Sequence, residues 1–238
     1  MSRTLTWTGS ALLAVLLAAR PTSAQIVQSA HIGIGAFFPR GLDTRVAGDT
    51  IVADVNDQNA LAFDFGRLTS VTVNGEWSVA FGPHLEASAG IGYYQDTIPS
   101  VYRDLVNADG TEIVQNLKLR ITPITGIVRF LAGRPGGVQP YFGVGVCACN
   151  FRYSEYGQFV DPTDFSVYSA QYTTTGTPIG AIVLGGVRFP INGDIYGLTT
   201  EYRYQFVTAN TGGLSNGFLG PKIDLSGGTF NFAFFIRF

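Results

Sequence analysis

The final stretch of the chain, Ile223 to Phe238, constrains its fold more than any other. Counted back from the end, Phe238, Ile236, Phe234, Phe232 and Phe230 fall at every second residue, and all are large and apolar. Between them lie Arg237, Phe235, Ala233, Asn231 and Thr229. A two-residue period sends alternate side chains to opposite faces of a β-strand. Such a strand suits lipid on one face and a polar or mixed interior on the other. The alternative is the last strand of a soluble sandwich. It is the weaker reading, because a soluble protein seldom leaves a row of bulky aromatics uncovered.

Residues 1–24 read as a secretory signal peptide. Arg3 gives the positive start, Ala11 to Ala19 the apolar core, and Thr22-Ser23-Ala24 the small residues before cleavage. The apolar run is too short to span ~30 Å of hydrocarbon, and no Cys follows it to carry a lipid anchor. No later run has the length of a spanning helix. If the chain is integral to a membrane it must therefore be a closed barrel, since only helices and closed barrels satisfy their backbone groups in lipid. The 30 Gly, 18 Phe and 11 Tyr, with 13% charged residues, fit a barrel and a soluble all-β protein alike, so composition does not choose between them. A formal net charge of −2 gives no electrostatic footprint for nucleic acid.

The alternation recurs along the chain and predicts eight strands. The first covers about 27–38, with Ala30, Ile32, Ile34, Ala36 and Phe38 on one face. The second covers about 65–81, with Val71, Val73, Gly75, Trp77, Val79 and Phe81 outward and Thr72, Asn74, Glu76, Ser78 and Ala80 inward. The third begins at Leu85. The fourth, about 113–131, changes phase: Leu117, Leu119 and Ile121 share a face, but after Pro123 the apolar face becomes Ile124, Gly126, Val128 and Phe130. A bulge at Pro123 would account for that slip. The fifth covers about 138–153, the sixth 177–189 and the seventh 195–207, and the terminal strand is the eighth. The connections alternate strictly. Those at 82–84, 132–137 and 190–194 are short, the last with an Asn192-Gly193 hairpin signal. Those at 39–64, 96–112, 154–176 and 208–222 are long, and this asymmetry is the pattern of outer-membrane barrels.

Several segments resemble the outer-membrane β-barrel domain family, the eight-stranded group that includes the transmembrane part of outer-membrane protein A and the small barrel X. They are 121–130 (ITPITGIVRF), 140–146 (PYFGVGV), 185–189 (GGVRF), 201–204 (EYRY) and the terminal strand. The resemblance covers most of the chain after residue 24. It implies a lipid-embedded barrel and leaves the biological role open. It also implies that Phe230, Phe232, Phe234, Ile236 and Phe238 form the signal read by the barrel-assembly machinery.

Eight charged residues are expected on the inward faces: Glu76, Glu86, Lys118, Arg120, Arg129, Arg188, Glu201 and Arg203. A charge inside an apolar envelope needs a partner, and the planar guanidinium fork suits carboxylates. An eight-stranded barrel is just wide enough for side chains to fill, so these residues are expected to plug the lumen as Arg–Glu pairs. Cys147 and Cys149, two apart in one strand, would stand ~6.5–7 Å apart at the strand rise. That is near the upper limit for a disulfide, and free thiols are expected. Gly143 to Ala148 fits a loose dinucleotide-binding pattern, but no helix follows it. Its glycines read instead as room for a crowded lumen. Tyr102, Arg103, Tyr156, Phe159, Phe165, Tyr168 and Tyr172 fall in expected outer loops. They read as an aromatic girdle at headgroup level or as partner-binding residues.

Some small outer-membrane barrels act on lipid A or on peptides, with a His and a Ser or Asp near the external rim. Here the only histidines are His31, low on the first strand, and His84, in a short turn. Neither pairs at the external end, and no enzyme is expected. The sequence therefore predicts one all-β domain at 25–238, an eight-stranded antiparallel up-and-down transmembrane β-barrel. It would be a monomer in the outer membrane of a Gram-negative-type cell, with both termini periplasmic. The expected role is that of an envelope protein with a side-chain-plugged lumen, structural or binding an external ligand through its loops. A narrow, gated, porin-like pore is the alternative, and a lipid-modifying enzyme the third choice. No cofactor or metal is implied. The partners implied are outer-membrane lipid and lipopolysaccharide and, during biogenesis, the assembly machinery.

Overall fold

The computed structural model describes residues 27–56 and 61–238. The signal-peptide reading, 1–24, lies outside them. The strands are β1 (Val27–Pro39), β2 (Leu61–Ala62), β3 (Ser70–Ala80), β4 (Leu85–Val106), β5 (Glu112–Leu131), β6 (Gln139–Val160), β7 (Val167–Gly176), β8 (Ile179–Ile191), β9 (Tyr196–Phe206), β10 (Thr208–Asn210), β11 (Lys222–Asp224) and β12 (Gly227–Arg237). Around the wall the order is β4-β3-β1-β12-β9-β8-β6-β5, and β5 pairs back onto β4. Every neighbour in this ring is antiparallel. The sheet is closed, so these eight strands leave no unpaired margin. Among the described residues no helix is long and apolar enough to cross a membrane.

The outward rows are apolar and uncovered. Ile32 and Ile179 are 71% and 79% exposed, so little of either residue is covered by protein. In β12, Phe230, Phe232, Phe234, Ile236 and Phe238 all face out, while Phe235 is fully buried inside and Asn231 and Arg237 share its face. Val27 and Phe238 meet at the end that carries the short turns: Gln28 N donates to Phe238 O at 3.0 Å. The Asn192-Gly193 turn takes left-handed backbone at both positions (φ 51° and 68°), as the hairpin signal requires.

Several boundaries differ from expectation. The stretch 96–106 is strand, not loop. So are 154–160 and 167–176, with only 107–111 and 161–166 between strands. A 3-10 helix at Phe65–Leu68 precedes β3, and β12 begins at Gly227 rather than 223. A further difference concerns Pro123, where no bulge occurs. The β5–β6 ladder runs unbroken from Gln115↔Gly157 to Leu131↔Tyr141, with Pro123 opposite Cys149. The slip in the apolar pattern is real, but it marks a change in what surrounds the strand rather than a change in the strand.

That change divides the molecule. Toward the short turns, apolar residues point out. Beyond the row of Tyr93, Thr122 and Asn150, they point in: Tyr94, Ile98 and Tyr102 on β4, Ile113, Leu117, Leu119 and Ile121 on β5, and Phe151 and Tyr153 on β6 are all buried. Strands β4 to β7 thus project past the barrel as one tall sheet. Segments 40–56, 61–69 and 207–226 fold over its inner face and supply Ile51, Leu61, Leu68, Phe218, Ile223 and Leu225 to the same core. Phe218 sits 5.7 Å from Tyr153 and 6.5 Å from Tyr172, ring centre to ring centre. Together these residues form a cap over the long-connection end.

Candidate functional site

Six of the eight expected charges meet in the lumen. Arg129 reaches Glu76 through both terminal nitrogens, with Nη2 donating to Oε2 at 2.9 Å. The same Nη2 donates to Glu201 at 2.9 Å. Arg203 bridges the same two carboxylates, at 3.2 Å to Glu76 and 2.7 Å to Glu201. Arg188 donates from the single nitrogen Nη2 to both oxygens of Glu86, at 2.8 and 2.9 Å, and Glu86 stands 3.6 Å from Arg129. Each strand contributes by the pleat alone, because these residues occupy the inward parity of β3, β4, β5, β8 and β9. Glycine makes the reach across possible. A Cβ on Gly143 would stand 3.1 Å from Arg129 Cγ, and one on Gly186 would stand 2.6 Å from the Tyr141 hydroxyl. With that space free, Tyr141 donates to Glu201 at 3.2 Å. Buried charges of this kind persist only when each is paired and hydrogen-bonded.

Lys118 and Arg120 do not join them. Their inward neighbours are Leu117, Leu119 and Ile121, so both side chains stand on the outer surface of the tall sheet. The expectation failed because it read the Leu117–Ile121 face as lipid-facing. Past Tyr93 that face turns onto the cap, and the outward face becomes polar and charged. Arg152, which sequence reasoning passed over, stands directly across from Arg120. Its signal was the outward alternation Asn150, Arg152, Ser154, Tyr156.

The remaining space in the lumen is small. A cavity of about 20 Å³ adjoins Arg129, Glu201 and Arg203, and one of about 50 Å³ lies between this network and Tyr94. The first has room for about one water molecule. On the short-turn side, Glu86 and Arg188 floor an open vestibule of about 270 Å³ lined by Leu131 and Gln139. Arg237 pairs with Asp194 at that end.

The cap is tied by its own buried polar set. Arg45 donates to Asp49 at 2.8 and 2.9 Å and to Asp224 O at 2.7 Å, and Asp49 accepts from Asp224 N at 2.6 Å. Arg40 pairs with Asp224 at 3.2 Å. Asp49 also caps the short helix Thr50–Asn56 by accepting from Val52 N at 3.1 Å. From that helix the buried Asp54 meets Glu155 of the tall sheet. Neither carboxyl oxygen of Asp54 receives a fixed donor, so the pair is satisfied only when one carboxyl keeps its proton for the other. Burial, then the charge of Glu155, lifts Asp54 well above the usual carboxylate range; burial pushes Glu155 up to about 7. Gln115 donates to Glu155 at 3.2 Å and accepts from Tyr102 at 3.2 Å. Nothing in the sequence pointed to Asp54; Glu155 continues the inward run of Phe151 and Tyr153.

The other expected features are placed as follows. Cys147 and Cys149 are free, buried and on the inward face, with sulfurs 2.8 Å apart. His31 lies 3.1 Å from Ser78, which donates to Ser29 at 3.2 Å. Both serines are buried, so this pair offers no nucleophile to solvent. His84 contacts Leu131 O at 2.9 Å in its turn. Of the aromatics expected in outer loops, Tyr102 and Phe159 are buried and Tyr172 packs against the cap core. Arg103, Phe165 and Tyr168 are exposed.

No family model matches the sequence, and no curated protein matches it. Among solved structures, the chain is similar to the outer membrane protein OprG from Pseudomonas aeruginosa. Identity is 13% over 90% of this chain and 96% of that one, with a TM-score of 0.51. It is also similar to Neisserial surface protein A, with 12% identity over 89% and 97% and a TM-score of 0.46. A third is Ail, the attachment invasion locus protein of Yersinia pestis, with 11% identity over 90% and 100% and a TM-score of 0.43. At these identities the likeness is one of fold, and OprG carries it. The closed ring of eight antiparallel strands, its bare apolar outer rows and that likeness together make the chain, by fold, an eight-stranded outer-membrane-type β-barrel.

Proposed function

We propose that the chain is an integral outer-membrane protein whose lumen stays plugged and whose work is done at its capped end. That work is envelope support or capture of an external ligand, without a catalytic step. The reading rests on a double closure: the Arg129–Glu76–Glu201–Arg203 network spans the lumen, and the apolar cap lies over it. The short turns and both ends of the described chain face the periplasm in this reading, and the tall sheet faces outward. The Phe230-to-Phe238 row serves in assembly. Conductance of the refolded protein in planar bilayers tests the plug. The expected trace is silent at neutral pH. Stable unitary steps, with ion selectivity that changes when Glu201 is neutralised, would establish the narrow gated pore instead. Ligand capture is tested by replacing 161–166 with a two-residue turn. Removing all of 154–176 would also strip Glu155 and Tyr172 from the cap.

A further inference from the structure

The outer surface of the tall sheet carries a basic groove at a defined height. Outward residues align across the strands in rows. Ile91, Ile124, Ala148 and Ile179 form one row, and Tyr93, Thr122 and Asn150 the next. The row above is Gln95, Arg120, Arg152 and Thr175, followed by Thr97, Lys118, Ser154 and Thr173. Successive rows are two residues apart, or ~5 Å of height for a strand tilted ~40°. The first arginine row therefore stands ~10 Å above the last fully apolar row, at the level of lipid headgroups.

Arg120 and Arg152 face each other directly, and Lys118 flanks them. Like charges opposed across a ladder repel. Among the described residues none of the three has a carboxylate within ion-pair distance, whereas the lumen arginines all do. The three line a groove of about 350 Å³ whose remaining walls include Gln95, Tyr156 and Gln171, all hydrogen-bonding side chains. Cations held together, bordered by donors and seated two rows above an apolar outward belt, suit a phosphate carried on acyl chains.

We infer that this groove binds the phosphate of a phosphorylated glycolipid of the outer leaflet, with Arg120 and Arg152 forking onto the phosphate and Lys118 adding charge. The acyl chains would lie against Ile124 and Ile179 below. The inference rests on the outer-membrane reading, and the two fail separately. A chain that does not insert into lipid vesicles defeats the outer-membrane reading. A chain that inserts but does not discriminate phosphate defeats only the groove.

The test uses full-length protein refolded in detergent, with native mass spectrometry as the readout. The probes are bisphosphorylated lipid A, the same lipid with its phosphates removed, and inorganic phosphate. The bisphosphorylated lipid should bind at least about tenfold more tightly than the dephosphorylated one. The R120Q/R152Q variant should lose a similar factor. Inorganic phosphate should not compete at equal concentration. R67Q, an exposed arginine outside the groove, serves as the control and should bind normally. R120Q/R152Q removes a repulsive pair from an exposed face, so it should fold, as circular dichroism would show. Equal binding by wild type and R120Q/R152Q, or equal binding of both lipids, would overturn the inference. So would competition by free phosphate at lipid-like concentration, which would make the groove a soluble-anion site.

Discussion

The lower barrel and the tall sheet above it are built from the same strands with opposite polarity. On β5, Val128 and Phe130 face out and Arg129 faces in; a few residues earlier, Leu117 and Leu119 face in and Lys118 and Arg120 face out. The pleat keeps its period of two throughout, since the ladder does not slip. On the proposed outer-membrane reading, what changes is the medium. Where lipid surrounds the wall, the apolar rows turn outward and buried charges pair inside. Where water surrounds it, the apolar rows turn inward onto a cap. The lesson is that a phase change in hydrophobic alternation need not mark a bulge; here, on that reading, it marks the edge of the membrane.

The largest test of this contrast is the lumen network. Arg129→Leu leaves Glu76 and Glu201 short of a partner and should cost ~3–5 kcal/mol. The E76Q/R129M variant should recover most of that, because Glu201 keeps Arg203 and Glu86 keeps Arg188. Urea unfolding of the refolded barrel measures both. If the single variant unfolds like wild type, the six charges are ornaments rather than a plug.

Removing Phe218 from the cap should be nearly as severe but local. Phe218→Ala empties a fully buried site and should cost the cap ~3–5 kcal/mol. Proteolysis at 40–69 and 207–226 should accelerate while the barrel's own unfolding midpoint stays put. A fall in that midpoint of equal size would mean that the two regions are one cooperative unit.

A charge on the outer wall sharpens the comparison further. Val128→Arg, in the lipid belt, should cost ~2–4 kcal/mol. Asn116→Arg, on the same face above the Tyr93 row, should cost under ~0.5 kcal/mol. Similar costs at both sites would remove the boundary.

The smallest effect expected is a pH dependence confined to the cap. Asp54 and Glu155 both hold their protons more tightly folded than unfolded, where they titrate near ~4. Between pH ~4 and ~7 the folded cap therefore binds more protons than the unfolded one, and its stability falls as pH rises through that window. Amide exchange of the helix Thr50–Asn56, corrected for intrinsic rates, should show protection declining over this range. A D54N/E155Q variant should be flat. Rising protection with pH would mean the carboxyls are charged and paired elsewhere.

Much of the barrel was legible because alternation is a strong local signal. The eight wall strands, the three short turns and the outward apolar row of β12 all follow from it. What the sequence hid was the tall sheet. Its polar outward residues, such as Thr97 and Thr173, read as loop when the only apolar face sought was the outer one. The same assumption placed Lys118 and Arg120 in the lumen. The six charges that do converge there all lie where outward residues are apolar, so the parity argument held. Asp54 was invisible, because its burial depends on segment 40–56 folding back over β6, a contact no local pattern encodes.

The most direct measurement is a depth profile along the outward face of β5. Single cysteines at Asn116, Thr122, Ile124, Val128 and Phe130, in a Cys147→Ser/Cys149→Ser background, would carry a spin label in protein reconstituted into lipid vesicles. The labels would be relaxed by oxygen or by a water-soluble nickel chelate. The account predicts oxygen-dominated relaxation at 124, 128 and 130, nickel-dominated relaxation at 116, and the crossover at 122. Nickel access at every position, or oxygen dominance extending through 116, would contradict it.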